Sequence, residues 1–134
     1  LKVQPKNIEK AEPQALRING YNEADWLFAI SLEDAMREFA KKTEGAVFIA
    51  HNATFDYGFI ESAFKQTGVE NKMHYHRLDT LSMAFAILHG NGDVGKLSLK
   101  ALCERYGVED KKAHSAFADT YALYEVFKKM MNLK

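Results

Sequence analysis

The sequence predicts an α/β fold, and three observations predict it. Ala46-Val-Phe-Ile-Ala50 is short and continuously apolar, as a strand buried on both faces is. Apolar residues recur at helical spacing on either side of it, from Leu32 to Ala40 and from Phe59 to Phe64. Tyr75-His-Arg-Leu-Asp79 then supplies a second, weaker strand, so that helix and strand alternate along the chain.

Residues 1–30 are mixed in character and punctuated by Pro5, Pro13 and Gly20, which predicts extended or loop-like chain. Ser31 with Asp34 three residues later is an N-cap signature, and Leu32, Ala35, Met36, Phe39 and Ala40 continue as a helix towards Gly45. After the apolar strand, a helix over roughly 55–67 carries Phe59, Ile60, Ala63 and Phe64 on one stripe and stops at Gly68. Thr80 to His89 reads as helical and Asn91-Gly-Asp-Val-Gly95 as a loop. Ser98 caps a helix running to Tyr106, which Gly107 terminates. The last helix starts near Ser115 and reaches about Met130, with Tyr121, Leu123, Tyr124 and Phe127 expected to supply its core contacts. Two strands with this much helix do not make a stable sheet alone. Further strands are therefore expected, and they would precede Leu1. Leu1-Lys-Val-Gln-Pro5 lacks an initiator methionine and reads like the end of a strand entering a loop.

Residues 1–134 are expected to form a single domain with enough apolar content for a core. The formal net charge is zero, so no broad electrostatic surface for duplex DNA is implied, and nucleic-acid contact would be local, at a strand end. Cys103 is the sole cysteine, which excludes an intrachain disulfide and a thiolate metal cage and leaves a small buried apolar residue. No apolar run approaches the roughly 18 residues of a membrane span, and the first residues do not resemble a signal peptide. A cytoplasmic location without membrane contact is expected.

Two segments carry the chemistry. Asn52-Ala-Thr-Phe-Asp56 puts an acid where the apolar strand meets a helix, at the sheet edge where ligands bind in α/β folds. His114-Ser-Ala-Phe-Ala-Asp119 puts a second acid in the first turn of the last helix, with a histidine in the loop before it. Carboxylates so placed can hold a divalent cation. An imidazole, whose ordinary pKa is near 6.5, can take a proton from water at neutral pH. Taken singly, each acid is better explained structurally, as a charge that complements a helix dipole or cap, than as a chemical group. Phe55 is either core or a ring that stacks on a nucleobase, and Asn52 either satisfies a loop backbone or lines the same pocket. His74 and His76 would share one face of a strand as a metal pair, but no third ligand lies near them in sequence.

At these residues the chain resembles the DEDD exonuclease superfamily, in the branch with a histidine in its third motif. That branch includes the proofreading subunit of bacterial DNA polymerase III, ribonuclease T and oligoribonuclease-like relatives. His51-Asn-Ala-Thr-Phe-Asp-Tyr-Gly-Phe59 resembles the second exonuclease motif and His114-Ser-Ala-Phe-Ala-Asp119 the third. Leu78-Asp-Thr-Leu81, Leu97-Ser-Leu-Lys-Ala-Leu-Cys-Glu-Arg-Tyr-Gly107 and Ala15-Leu-Arg-Ile-Asn-Gly20 resemble the family's connecting segments in order and spacing. The resemblance implies a ribonuclease H-like mixed sheet surrounded by helices, here apparently without its N-terminal strands. It implies a 3′→5′ exonuclease that uses two Mg²⁺ or Mn²⁺ ions, roughly 4 Å apart, on single-stranded DNA or RNA 3′ ends.

Carried over to this chain, the resemblance makes Asp119 a direct metal ligand, with Asp56 acting through metal-bound water and His114 as general base. Phe55 and Asn52 would line the pocket for the terminal nucleotide, with Ile18 and Asn19 on its opposite wall. Asp79 matches a recurring family position to which no catalytic role is assigned. The departure is the first motif: no Asp-x-Glu occurs in the 134 residues, and the reversed Glu23-Ala-Asp25 does not replace it. Two alternatives therefore stand beside the enzyme. The first is a non-catalytic nucleic-acid-binding or scaffolding module of the same fold. The second is a site and sheet completed by another chain, such as a polymerase partner. An apolar strand with Asp-x-Glu upstream in the reading frame would favour the enzyme.

Overall fold

The computed structural model describes residues 1–18, 20–92, 95–109 and 116–133, with Ile18 through its backbone only. The chain divides into two compact units, one made of Leu1–Ala46 and Phe59–His74, the other of Val47–Gly58 and Tyr75–Lys134.

In the first unit, residues 1–30 are not the featureless stretch that their composition predicts. They form a 3₁₀ turn at Ile8–Lys10 and two short helices, α1 at Pro13–Ile18 and α2 at Glu23–Trp26. Helices this short carry no apolar periodicity to read and are held by local contacts. Asn22 caps α2 by accepting the Ala24 N–H at 3.0 Å. The Trp26 indole N–H donates to the Val3 carbonyl at 3.2 Å, and the Lys2 ammonium lies 4.7 Å from the centre of its ring. Val3 and Ile30 make an isolated parallel bridge. The capped helix α3, Leu32–Lys42, starts where the sequence places it, with the Ser31 hydroxyl accepting the Asp34 N–H at 3.0 Å. Its Met36 and Ala40 pack with Phe64 in a small core that Ile60 and Ala63 extend.

The second unit holds the sheet. Strand β1 is Phe48–Ala50 and β2 is Arg77–Asp79, shorter than the apolar runs that predict them. They pair in parallel, with Phe48 opposite Arg77, Ile49 opposite Leu78 and Ala50 opposite Asp79. A parallel pair requires a crossover, and helix α4, Ala53–Thr67, supplies it, beginning in this unit and ending in the other. Phe59 does not join its buried stripe: it is exposed, whereas Phe64 is buried. Helices α5 (Thr80–Gly90), α6 (Leu99–Tyr106) and α7 (Ala116–Met130) follow. The predicted caps of α6 hold: Ser98 accepts from Ala101 N–H, and Gly107 is left-handed at φ 61°.

The core of this unit is built from Ala84, Leu88, Leu102, Cys103, Ala122, Val126 and Met130. Helix α7 buries 122, 126 and 130, a spacing of four, together with Leu123. Tyr121 and Tyr124, expected in the core, lie on the exposed side instead. The small Ala122 permits close approach where a tyrosine would not fit. Cys103 is buried, as expected. Leu102 has no exposed surface, so Leu102→Ala is expected to cost about 2–5 kcal/mol of unfolding free energy. Denaturant titration measures this, and a loss below about 1 kcal/mol would show that the pocket collapses around the smaller side chain.

Candidate active site

The second-motif residues sit where β1 turns into α4. After Ala50 the chain passes through His51 and Asn52, and Asn52 adopts a left-handed φ of 67°. Asparagine is among the few residues that enter this region readily. Within the turn the Phe55 N–H donates to the Asn52 carbonyl at 3.0 Å. Asp56 falls in the first turn of α4, exposed to solvent. Phe55 is 64% exposed, which excludes the core reading of this ring. Asn52 is exposed as well, so these three side chains are presented together at one helix start.

Beside them lies a polar group of residues to which sequence reasoning gives no role. Asp79, at the end of β2, accepts the Asn52 N–H at 3.0 Å and the Leu81 N–H at 3.0 Å through Oδ1. Its Oδ2 accepts the Ser82 hydroxyl at 3.3 Å. Burial pushes the Asp79 carboxyl up, but hydrogen bonds from Asn52, Leu81, Ser82 and Ala53 outweigh it and hold the group below the ordinary 3.8. Thr80 is fully buried; its hydroxyl donates to the Ala50 carbonyl at 3.3 Å and faces His51 Nδ1 at 3.1 Å. The donor of the His51–Thr80 pair follows the tautomer of the imidazole. The sequence signal for Asp79 was its position directly before a helical run, an N-cap site.

Burial pushes His51 below its ordinary 6.5, against the opposing influence of the Asp79 charge, the Leu97 carbonyl and the Asp56 charge. The folded state therefore disfavours the proton that the unfolded chain binds below pH 6.5. The stability that His51 contributes is full above pH 6.5 and is lost as pH falls through its lower folded value. Thermal unfolding at pH 7.5, 6.5 and 5.5 should show a loss on acidification that is smaller in His51→Gln. Equal slopes in the two proteins would contradict the assignment.

Asp119 occupies the first turn of α7 and is half-buried. Three residues further on the helix enters the core at Ala122, so the backbone bearing this acid is firmly held. His114 lies outside the described residues, as does Asn19. Ile18 ends α1 in the first unit, and its side chain is not described. His74 and His76 both precede β2, which removes the shared strand face expected of them.

The structure thus brings Asn52, Phe55 and Asp56 together and sets Asp119 at the start of a second helix in the same unit. Among the described residues no three His, Cys, Asp or Glu side chains gather to hold a metal ion. Asp56 and Asp119 are the hard oxygen donors that Mg²⁺ and Mn²⁺ take, but two carboxylates form only part of a two-metal cage. No helix among the described residues is long and apolar enough to cross a membrane.

Comparison with known proteins accords with this arrangement. Residues 1–127 match the RNase_T family model, described as Exonuclease. The DNA polymerase III PolC-type protein of Staphylococcus saprophyticus subsp. saprophyticus is 36% identical over 103 residues, covering 77% of this chain and 7% of the relative. The DNA polymerase III PolC-type protein of Staphylococcus aureus gives the same identity and coverage. The chain therefore spans a small fraction of the length of the curated relatives it matches.

Proposed function

The chain belongs to the RNase_T exonuclease family of the DEDD superfamily, its small parallel sheet and many helices consistent with a ribonuclease H-like exonuclease fold, and from that premise we propose a 3′→5′ exonuclease. It acts as a single exonuclease domain on single-stranded DNA or RNA ends and releases nucleoside 5′-monophosphates. The observation that carries this reading is the exposed start of α4, where Asp56, Phe55 and Asn52 stand together on a helix fixed to the sheet.

Phe55 offers its face to the terminal base, a stacking contact worth roughly 1–3 kcal/mol. Asn52 orients the same nucleotide from the preceding turn. Asp56 and Asp119 contribute carboxylates to a Mg²⁺ or Mn²⁺ site that needs further acids. Such ions, when bound, stabilise the charge that develops on the attacking and leaving oxygens. His114 removes the proton of the attacking water. In the PolC-type relatives the matched stretch is part of a protein named as a DNA polymerase, and a polymerase is the partner we propose here.

The test uses the full-length protein, Mg²⁺ and a single-stranded oligonucleotide labelled at its 5′ end. The expected result is a ladder shortening from the 3′ end with mononucleotide products, abolished by EDTA. Binding without cleavage would instead support a non-catalytic module. The 134-residue chain alone, with no Asp-x-Glu in its sequence, is expected to release little or nothing. His114-dependent release by that chain would overturn the expectation.

A further inference from the structure

We propose that Asp79 is a positioning residue of this site, whose carboxylate sets the first turn of α4 and thereby places Asp56. The inference rests on the exonuclease reading of Asp56. The parallel register puts Asp79 opposite Ala50, so the chain leaving β1 passes directly beside this carboxylate. That chain must then adopt a left-handed residue at Asn52 before the helix can begin. Asparagine enters that region more readily than other side chains do, and the bond from the Asn52 N–H to Asp79 Oδ1 holds the turn there. The same oxygen caps α5 through the Leu81 N–H, and Oδ2 takes the Ser82 hydroxyl. One carboxylate therefore ties the starts of two helices to the end of the sheet.

Its acceptor capacity is largely occupied by its own chain, which distinguishes it from a metal ligand. The Asn52 and Leu81 N–H groups and the Ser82 hydroxyl donate to it, taking three of the roughly four lone-pair sites that a carboxylate offers. Asp56 lies four residues beyond Asn52, within the turn that this network fixes. A displacement of about 1 Å at a reacting centre costs on the order of 100-fold in rate, so the network matters to catalysis without touching substrate.

The test compares variants of the full-length protein. Asp79→Ala should lower kcat about 10–100-fold and speed amide hydrogen exchange at residues 52–55. Asp79→Asn keeps Oδ1 to accept from Asn52 and Leu81, and should retain most of the turnover and the slow exchange. The double variant Asp56→Asn/Asp79→Ala should be no slower than Asp56→Asn alone, because the clamp acts through Asp56. Equal damage in Asp79→Asn and Asp79→Ala, or losses that multiply in the double variant, would overturn the proposal. Full turnover in Asp79→Ala beside an inactive Asp56→Asn would overturn it while leaving the exonuclease reading intact. An active Asp56→Asn would remove that reading, and the proposal with it.

Discussion

His114→Ala in the full-length protein is expected to lower the rate of nucleotide release by about 10²–10⁴-fold with the fold intact. The loss follows from its assigned task. Water is a poor nucleophile until a base takes its proton, and alanine has no lone pair to do so. Substrate binding should change little, because the proposed nucleotide contacts, Phe55 and Asn52, lie in α4 and the turn before it. Single-turnover assays at saturating oligonucleotide separate the two effects, and circular dichroism checks the fold. Unchanged turnover would remove His114 as the base. A weakened affinity with normal turnover would make it a substrate contact instead.

Asp119→Ala should silence the protein more completely than Asp56→Ala. Asp119 is half-buried in the first turn of α7, whose next turns are anchored by Ala122, Val126 and Met130 in the core. In the proposed site, a ligand carried on so firmly held a helix would be preorganised, and a replacement water could not supply its charge. Asp56 is exposed, and a ligand reaching the metal through water is more readily replaced. Disturbing a residue that only supports a metal ligand costs about 10–100-fold, so losing the direct ligand should exceed that range. Turnover measured across a Mg²⁺ series tests the ranking. A larger loss at Asp56 would reverse the two roles.

Helix boundaries were legible where a side chain marks them. Ser31, Ser98 and Gly107 are local signals, and each marks the helix end that it predicts. The strands were legible from Ala46-Val-Phe-Ile-Ala50 and from Tyr75-His-Arg-Leu-Asp79, although each is trimmed to three residues. The short helices before Ser31 were not legible, because they are too short for a periodic signal and depend on contacts around Trp26. Phe59, Tyr121 and Tyr124 are exposed although the stripes read from the sequence place them in the core. On α7 the spacing of Ala122, Val126 and Met130 decides burial instead.

The same distinction applies at the site. The second-motif acid was placed correctly at the start of a helix after an apolar strand, since strand and helix are both local patterns. Asp79 was read as the end of the second strand and as a family position without a role; it ends that strand and also caps α5. Its bond to Asn52 spans 27 residues of sequence and exists only because of the parallel register. No pattern within either segment could reveal that.

The central claim is that the second- and third-motif acids serve one hydrolytic centre. Anomalous diffraction from crystals of the full-length protein soaked with Mn²⁺ and a nucleoside 5′-monophosphate tests it most directly. The account predicts a manganese peak about 2.1 Å from an Asp119 carboxylate oxygen, with Asp56 reaching the same ion directly or through one water and the nucleotide base against Phe55. Manganese bound away from both carboxylates, or bound by Asp119 with Asp56 and Phe55 facing elsewhere, would contradict it.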